Sequence, residues 1–540
     1  MLTDSPNRVT GKGQPLAAAR QSAREHSGRG GREAARAIVV GAGIGGLAAA
    51  MRLGAKGYRV SVIDRLDSPG GRGSAIWQDG HRFDLGPTIV TVPQTLRELW
   101  AACGRDFDRD VDLRALDPFY RITFPDGSHF DASGDTQAMR AEVARLSPED
   151  LPGYDRFLRD SEARYAFGFE DLGRRSMHRF VDLLKVLPRF AALRADRSVF
   201  AHARARVRDP RLQMALSFHP LFIGGDPLHV TSMYILVSYL EKEYGVHYAM
   251  GGVQAIAQAM ANVVADQGGE VILGAEVDEV LVAGGRASGV RLADGREMAA
   301  DLVISNADAG HTYTRLLRNL PRKRWTDARL KRTRWSMGLF VWYFGTSGTR
   351  DLWPDAGHHT ILSGPRYEGL LRDIFIKGHL AEDMSLYVHR PSVTDPGVAP
   401  AGDDTFYVLS PVPHLGGRNP VDWAQEAAPY KARMLAMLEE RLLPGLAARV
   451  KTELVFTPET FRDRYLSPLG AGFSIEPRIL QSAWFRPHNV SEELPGLYLV
   501  GAGTHPGAGL PGVISSAEVL GQLVPDAPAP AAGSLPLAAQ

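Results

Sequence analysis

Two glycine-rich segments at opposite ends of the chain set the strongest limit on its fold. One runs Ala37-Ile-Val-Val-Gly-Ala-Gly-Ile-Gly-Gly-Leu47. The other runs Leu497-Tyr-Leu-Val-Gly-Ala-Gly-Thr-His-Pro-Gly-Ala-Gly-Leu-Pro-Gly512. Each is a short apolar strand that enters glycines and then a helix. The two lie about 450 residues apart, so a ligand clasped by both requires the chain to leave one domain and return to it. The expected fold class is α/β, built on a Rossmann-like dinucleotide domain.

The first segment carries its whole context. Ile38 to Val40 is a buried-type strand, and Gly41, Gly43 and Gly46 make G-x-G-x-x-G. A helix is expected from Gly45 to Lys56, then a strand over Tyr58–Ile63 ending at Asp64. Gly41 permits the tight turn, Gly43 leaves room for a pyrophosphate, and Gly46 lets helix and strand pack closely. The helix N-terminus offers N–H donors to the phosphates. Asp64 falls where an acid binds a ribose hydroxyl. After Arg65 the chain reads Gly70-Gly-Arg-Gly73 and then Phe83-Asp-Leu-Gly-Pro-Thr88. Gly71 and Arg72 resemble the Gly-Gly-Arg element of FAD oxidoreductases, with the arginine neutralising a phosphate. Gly86, Pro87 and Thr88 then pass near a flavin ring.

The middle of the chain returns to this domain. A helix is expected over Gly251–Val264, then strands over 271–277, 287–292 and 298–304, the last entering Asn306. Val277 is a backbone partner for an adenine or simply a packed core valine. The expected domains are therefore discontinuous: 37–125, 245–314 and 481–524 form the FAD-binding domain. Residues 126–244 form a helical region for substrate and membrane association. Residues 315–480 form a substrate-binding domain with a mixed sheet. Residues 1–36 and 525–540 read as disordered tails. In the helical region, Arg179 to Arg194 alternates basic and apolar residues at helical spacing, which suits a membrane interface or a core equally. The basic run from Arg315 to Arg334 reads as a solvated face.

Composition closes off several classes. The net charge of +1 does not suit an electrostatic nucleic-acid binder. Cys103 is the only cysteine, which excludes an intramolecular disulfide and a cysteine-ligated cluster. His358 and His359 are adjacent without a spaced partner nearby, so no metal site is expected there. No apolar run is long enough to span a bilayer.

The C-terminal segment from Gly496 to Leu510, closing with Ser516, resembles the signature of bacterial-type phytoene desaturases. So do Gln481-Ser-Ala-Trp-Phe-Arg-Pro-His-Asn489, Ser217-Phe-His-Pro-Leu-Phe-Ile-Gly-Gly225 and Ala381-Glu-Asp-Met-Ser-Leu-Tyr387. The resemblance covers residues 37–524. It implies an FAD-dependent carotenoid desaturase that converts 15-cis-phytoene by successive dehydrogenations to neurosporene or lycopene. It also implies peripheral attachment at the cytoplasmic face of a membrane, and a quinone or oxygen as electron acceptor. Asp64 departs from the pattern, since relatives often carry glutamate there. Competing readings are a later carotenoid desaturase, a carotene isomerase, an amine oxidase and a non-catalytic lipid carrier of GDP-dissociation-inhibitor type.

Removing two hydrogens from an unactivated carbon pair needs a cofactor, here FAD. Gly503, Gly512 and Val513 belong to the closing motif, whose helix dipole would favour negative charge on a reduced flavin. His505 follows the strand directly. It either takes the substrate proton or hydrogen-bonds the flavin or its neighbours.

Overall fold

The computed structural model describes residues 34–417 and 420–528. Most of both expected tails lies outside these residues. Their inner edges differ from expectation. The first strand already starts at Arg36. At the other end Ala527 N–H donates to Lys56 O (2.8 Å), and Lys56 Nζ meets Asp526 at 2.9 Å.

The cofactor-type domain is a parallel sheet of five strands in the order Glu270–Ile272, Arg59–Ile63, Arg36–Val40, Leu302–Ser305, Leu497–Leu499. Parallel sheets are covered on both faces, which explains the near-continuous Val/Ile/Leu runs. The period-2 geometry of strands shows directly in Arg36–Val40. Ala37 and Val39 enter one core, with the helices Ile44–Ala55, Gly252–Asp266 and Leu510–Leu523. Ile38 and Val40 enter another, with Val277, Val280 and Val290 of the antiparallel sheet Val277–Ala283, Arg286–Leu292, Glu297–Ala299. Thus the N-terminal and C-terminal glycine helices pack side by side on one face.

Two strands expected as continuous are broken. Residues 273–276 turn between the strands Glu270–Ile272 and Val277–Ala283, because Gly274 N–H donates to Leu66 O and Ala275 N–H to Asp64 O. Residues 300 and 301 leave the ladder to bond Ser288 O and Arg36 O.

A second sheet of seven strands has the order Val450–Phe456, Gly338–Thr346, Asp404–Val412, Leu386–His389, His359–Leu362, Tyr120–Thr123, His129–Ala132. All nine residues of Gly338–Thr346 are buried. The boundary expected between residues 125 and 126 is corrected here. The hairpin Tyr120–Thr123 and His129–Ala132 joins the substrate-domain sheet, pairing in parallel with His359–Leu362. Its apolar face, with Phe130 and Ile122, buries against Phe157, Leu212 and Ile361.

The region beyond is helical. Its helix Phe180–Ala192 buries only Leu183 and Val186. Phe180, Val181, Leu184 and Leu187 are 45 to 56 % exposed. No helix among the described residues is long and apolar enough to cross a membrane.

The basic run is not a free solvated face. The Arg324 guanidinium lies 4.4 Å from the Trp484 ring centre and Arg329 lies 3.9 Å from that of Trp325. The N–H groups of Lys323, Arg324 and Trp325 all donate to the Glu493 carboxylate. Stacking of Arg324 on Trp484, together with the Glu493 bonds, holds residues 323–325 against residues 484–493.

Candidate active site

A cavity of about 710 Å³ runs between the two sheets and the helical region. Its two ends differ in chemistry. One end is made of backbone and charge, where both glycine segments converge. The other is an arm of aliphatic and aromatic side chains.

At the first end Gly41, with φ +100°, turns the chain out of the strand. Gly43 and Gly45 line the wall beside Asn306. A Cβ on Gly43 would lie 2.9 Å from Asn306 Nδ2, and one on Gly501 2.6 Å from Asn306 Oδ1. Asn306 Nδ2 also donates to Gly41 O at 3.3 Å. One amide thus sits at the junction of the two ends of the chain. Asp64 accepts from the N–H groups of Ala42 (2.7 Å) and Leu66 (2.8 Å) and faces the cavity. Burial pushes its carboxyl up from the ordinary value, against the pull of those donors. Each oxygen keeps a second lone pair for hydroxyl groups.

Gly71, Arg72, Gly86, Pro87 and Thr88 line the same cavity, as do Val277, Gly512 and Val513. A Cβ on Gly86 would lie 1.9 Å from Arg72 O, so the two segments touch through backbone alone. Arg72 Nη2 donates to Ser467 Oγ, while its buried Nε has no partner. Burial lowers the Arg72 pKa, with Asp308 nearby opposing the shift. A glycine cradle, an acid placed for hydroxyls and a cavity-facing arginine with a spare donor fit a dinucleotide.

Arg65 reaches the cavity and also ties the end of the helix Pro458–Tyr465 to the turn at residues 273–276. Its Nη1 donates to the carbonyls of Asp463 and Arg464, and its Nε pairs with Glu276 at 3.2 Å. Two expected residues do not line the wall. A Cβ on Gly46 would lie 2.0 Å from Gly41 O, so Gly46 serves helix–strand contact. Gly503 is a correction: a Cβ there would meet Ser474 Oγ at 2.8 Å and Ala309 N at 3.0 Å, and Gly501 takes the cavity position instead.

The motif Gln481–Asn489 braces the closing glycine segment. Arg486 Nη2 donates to Ala502 O (2.7 Å) and Ile475 O (3.0 Å). Asn489 Nδ2 donates to His505 O (3.1 Å) and Ser516 Oγ (3.0 Å).

His505 lines the cavity but is fully enclosed. Its Nε2–H is shared between the carbonyls of Leu172 and Arg175, both at 3.1 Å. Two carbonyls fix the tautomer and leave Nδ1 with a lone pair and no partner. Burial lowers its pKa to about 4. The ring ties the helical region to the closing motif, and this geometry favours the hydrogen-bonding role over the proton-accepting one.

The apolar arm is lined by Leu183, Leu187 and Phe190 of the exposed helix and by Ile479 and Leu480. Farther in are Phe222, Ile361, Tyr407 and Tyr387, whose hydroxyl meets Thr88 Oγ1 at 2.5 Å. Ser467 and Glu276 were not singled out in the sequence, and Tyr387 only as the end of a family-like motif; their roles depend on residues hundreds of positions away. The expectation that His358 and His359 lack a partner is also overturned, because His389 stands opposite His359 on the neighbouring strand.

Comparison with known proteins agrees with this geometry. The family described as flavin containing amine oxidoreductase matches residues 44–518. A phytoene desaturase (neurosporene-forming) of Cereibacter sphaeroides is 70% identical over 496 residues, covering 92% of this chain and 96% of the relative. A phytoene desaturase (lycopene-forming) of a Paracoccus species is 45% identical, covering 90% and 97%. Among solved structures, a putrescine oxidase aligns with TM-score 0.60 at 16% identity, covering 91% of this chain and 97% of its own. An oxidoreductase from Methanosarcina mazei gives TM-score 0.60 at 19%, covering 89% and 98%.

Proposed function

We propose, for a chain that belongs to the flavin containing amine oxidoreductase family and, within it, to the bacterial-type phytoene desaturases, a mechanism in which the polar end of the cavity holds FAD and the apolar arm holds the polyene. The chain is an FAD-dependent phytoene desaturase that forms neurosporene or lycopene. The observation that carries the division of labour is the cavity itself, which passes without a break from the glycine cradle to the aliphatic arm.

When bound, FAD supplies the two-electron acceptor that no side chain can provide. The residues that would hold it are Gly41 and Gly43 for the pyrophosphate, Asp64 for the ribose, Val277 for the adenine and Arg72 for an anionic group. The first turn of the helix Leu510–Leu523 has N–H groups unpaired within the helix and a positive dipole end, which favours negative charge. Tyr387 and Thr88 present hydroxyls where the two parts of the cavity meet. The aliphatic walls exclude water and orient a long hydrocarbon by shape alone.

The finer reading extends to location. Leu187 of Phe180–Ala192 and Leu480, which is 69 % exposed, both line the arm and face solvent, and Phe180, Val181 and Leu184 add further exposed apolar surface to that helix. Lys185 and Arg189 lie on the same helix, and Arg179 is its N-cap. This combination supports peripheral docking on an anionic membrane face, with substrate entering from lipid. A quinone or oxygen is the electron acceptor in this reading, and nucleic acid has no part. A stop at neurosporene is the finer product assignment, supported by the more similar relatives.

Expression in a phytoene-accumulating bacterium tests the activity, with pigments separated by chromatography. A yellow product identifies neurosporene, a red one lycopene, and a colourless culture with soluble flavoprotein overturns the reading.

A further inference from the structure

Behind the wall of the apolar arm lies a cluster of three buried imidazoles. The strand pairing makes it: His359 on His359–Leu362 stands opposite His389 on Leu386–His389, and His358 precedes the first strand. The ring centres are separated by 4.5, 4.9 and 5.0 Å. One nitrogen from each ring lies within 4.8 Å of the others, and all three residues are buried.

Their hydrogen bonding is incomplete. His358 Nδ1 is held by Thr394 Oγ1 at 2.6 Å, and His359 Nδ1 by Tyr387 OH at 2.8 Å. His358 Nε2 and His389 Nε2 face each other at 3.1 Å. His359 Nε2 and His389 Nδ1 have no partner. A buried nitrogen without a protein partner, as at His359 Nε2, calls for a ligand, an ion or water. The arrangement has the features of a metal centre. Two nitrogens bound to one tetrahedral zinc at ~2.0–2.1 Å stand ~3.3 Å apart, close to the His358–His389 separation. Hydroxyls on the outer nitrogens are the usual means of fixing ring orientation in such centres.

We propose that His358, His359 and His389 bind one divalent transition-metal ion, zinc being the best match to three imidazoles. The fourth position falls to water or hydroxide. The ion's charge is met in part by Asp395, whose carboxylate reaches the hydroxyl of Tyr248, a ring packed on His358 at 4.8 Å. The buried Arg82–Asp84 pair lies in the same region, and its Arg82 acts on His389 as a nearby positive charge. The ion would clip two strands of the substrate sheet and hold Tyr387, through His359, at the cavity wall. This role is structural and does not depend on the assignment of the polyene.

The test uses the full chain without a histidine tag, produced in medium supplemented with zinc or with cobalt. Metal content is measured after gel filtration, and the cobalt form is examined by visible absorption once flavin has been removed. The expected result is about one ion per chain, with the visible bands of a four-coordinate cobalt ion. His359→Gln and His389→Gln should each lower the content at least tenfold. Wild-type protein that is folded by circular dichroism yet carries less than a tenth of an ion per chain overturns the proposal, whether or not the variants fold. So does full metal content in both variants.

Discussion

The two ends of the cavity solve opposite problems. The cradle end binds a charged, hydrogen-bonding ligand, and it does so mainly with backbone: Gly41, Gly43, Gly71, Gly86 and Gly501 leave main chain and Asn306 as the wall. The arm binds a ligand with no polar groups, and it does so with side chains that offer only shape. A cradle of this kind tolerates no added atoms. An arm of this kind tolerates exchange of one aliphatic group for another of like volume but not a charge.

Substitutions should separate the two ends. The largest effect is expected at Gly46→Val, since even the first added carbon would lie 2.0 Å from Gly41 O. Flavin should be lost completely, and normal flavin content by absorbance would break the comparison. Next comes Arg72→Met, which removes a charge-assisted donor at the cavity. Such bonds contribute about 1.5–3 kcal/mol, so the flavin dissociation constant should rise roughly 10- to 100-fold in a fluorescence titration. The double variant Leu187→Glu, Leu480→Glu should leave flavin content unchanged while binding to anionic liposomes falls roughly tenfold or more. Flavin loss in that variant would show that the two ends are not separable.

The smallest effect is a pH dependence of stability. His202, His311, His488 and His505 are each pulled down to about 4, chiefly by burial. They stay neutral in the folded chain, whereas in the unfolded chain they take up protons below about 6.5. Their contribution to stability is therefore full above that value and is lost as pH falls towards 4. The melting temperature should drop across that window, and His505→Gln should make the drop shallower. A melting temperature flat from pH 7 to 4.5 would contradict the burial of these rings.

The cradle was legible in sequence because its information is local. Gly41 to Asp64 carries strand, turn, helix and acid in one stretch, and each falls within a residue or two of its expected place. The resemblance extended this to the closing motif. What could not be read is what depends on partners far along the chain. Gly503 is absent from the cavity wall although Gly501 and Ala502 line it, and Ser474 and Ala309 occupy the space beside it. The basic run looked solvated because its partners, Trp484 and Glu493, lie some 160 residues on. His389 was invisible as a companion of His359 because only the register of two strands brings them together. The hairpin at 120–132 changed domain for the same reason: an alternating apolar face does not say which core it will enter.

The order of strands in the parallel sheet has a consequence for biogenesis. Its edge strand, Leu497–Leu499, and the helix Leu510–Leu523 that covers the first glycine helix are made after every other strand of that sheet. Until they arrive, the N-terminal half-site is an exposed set of apolar side chains with nothing to close over a coenzyme. Capture of the flavin therefore waits on residues 497–523, and a nascent chain stalled before Leu497 has every other strand of the sheet and no finished pocket.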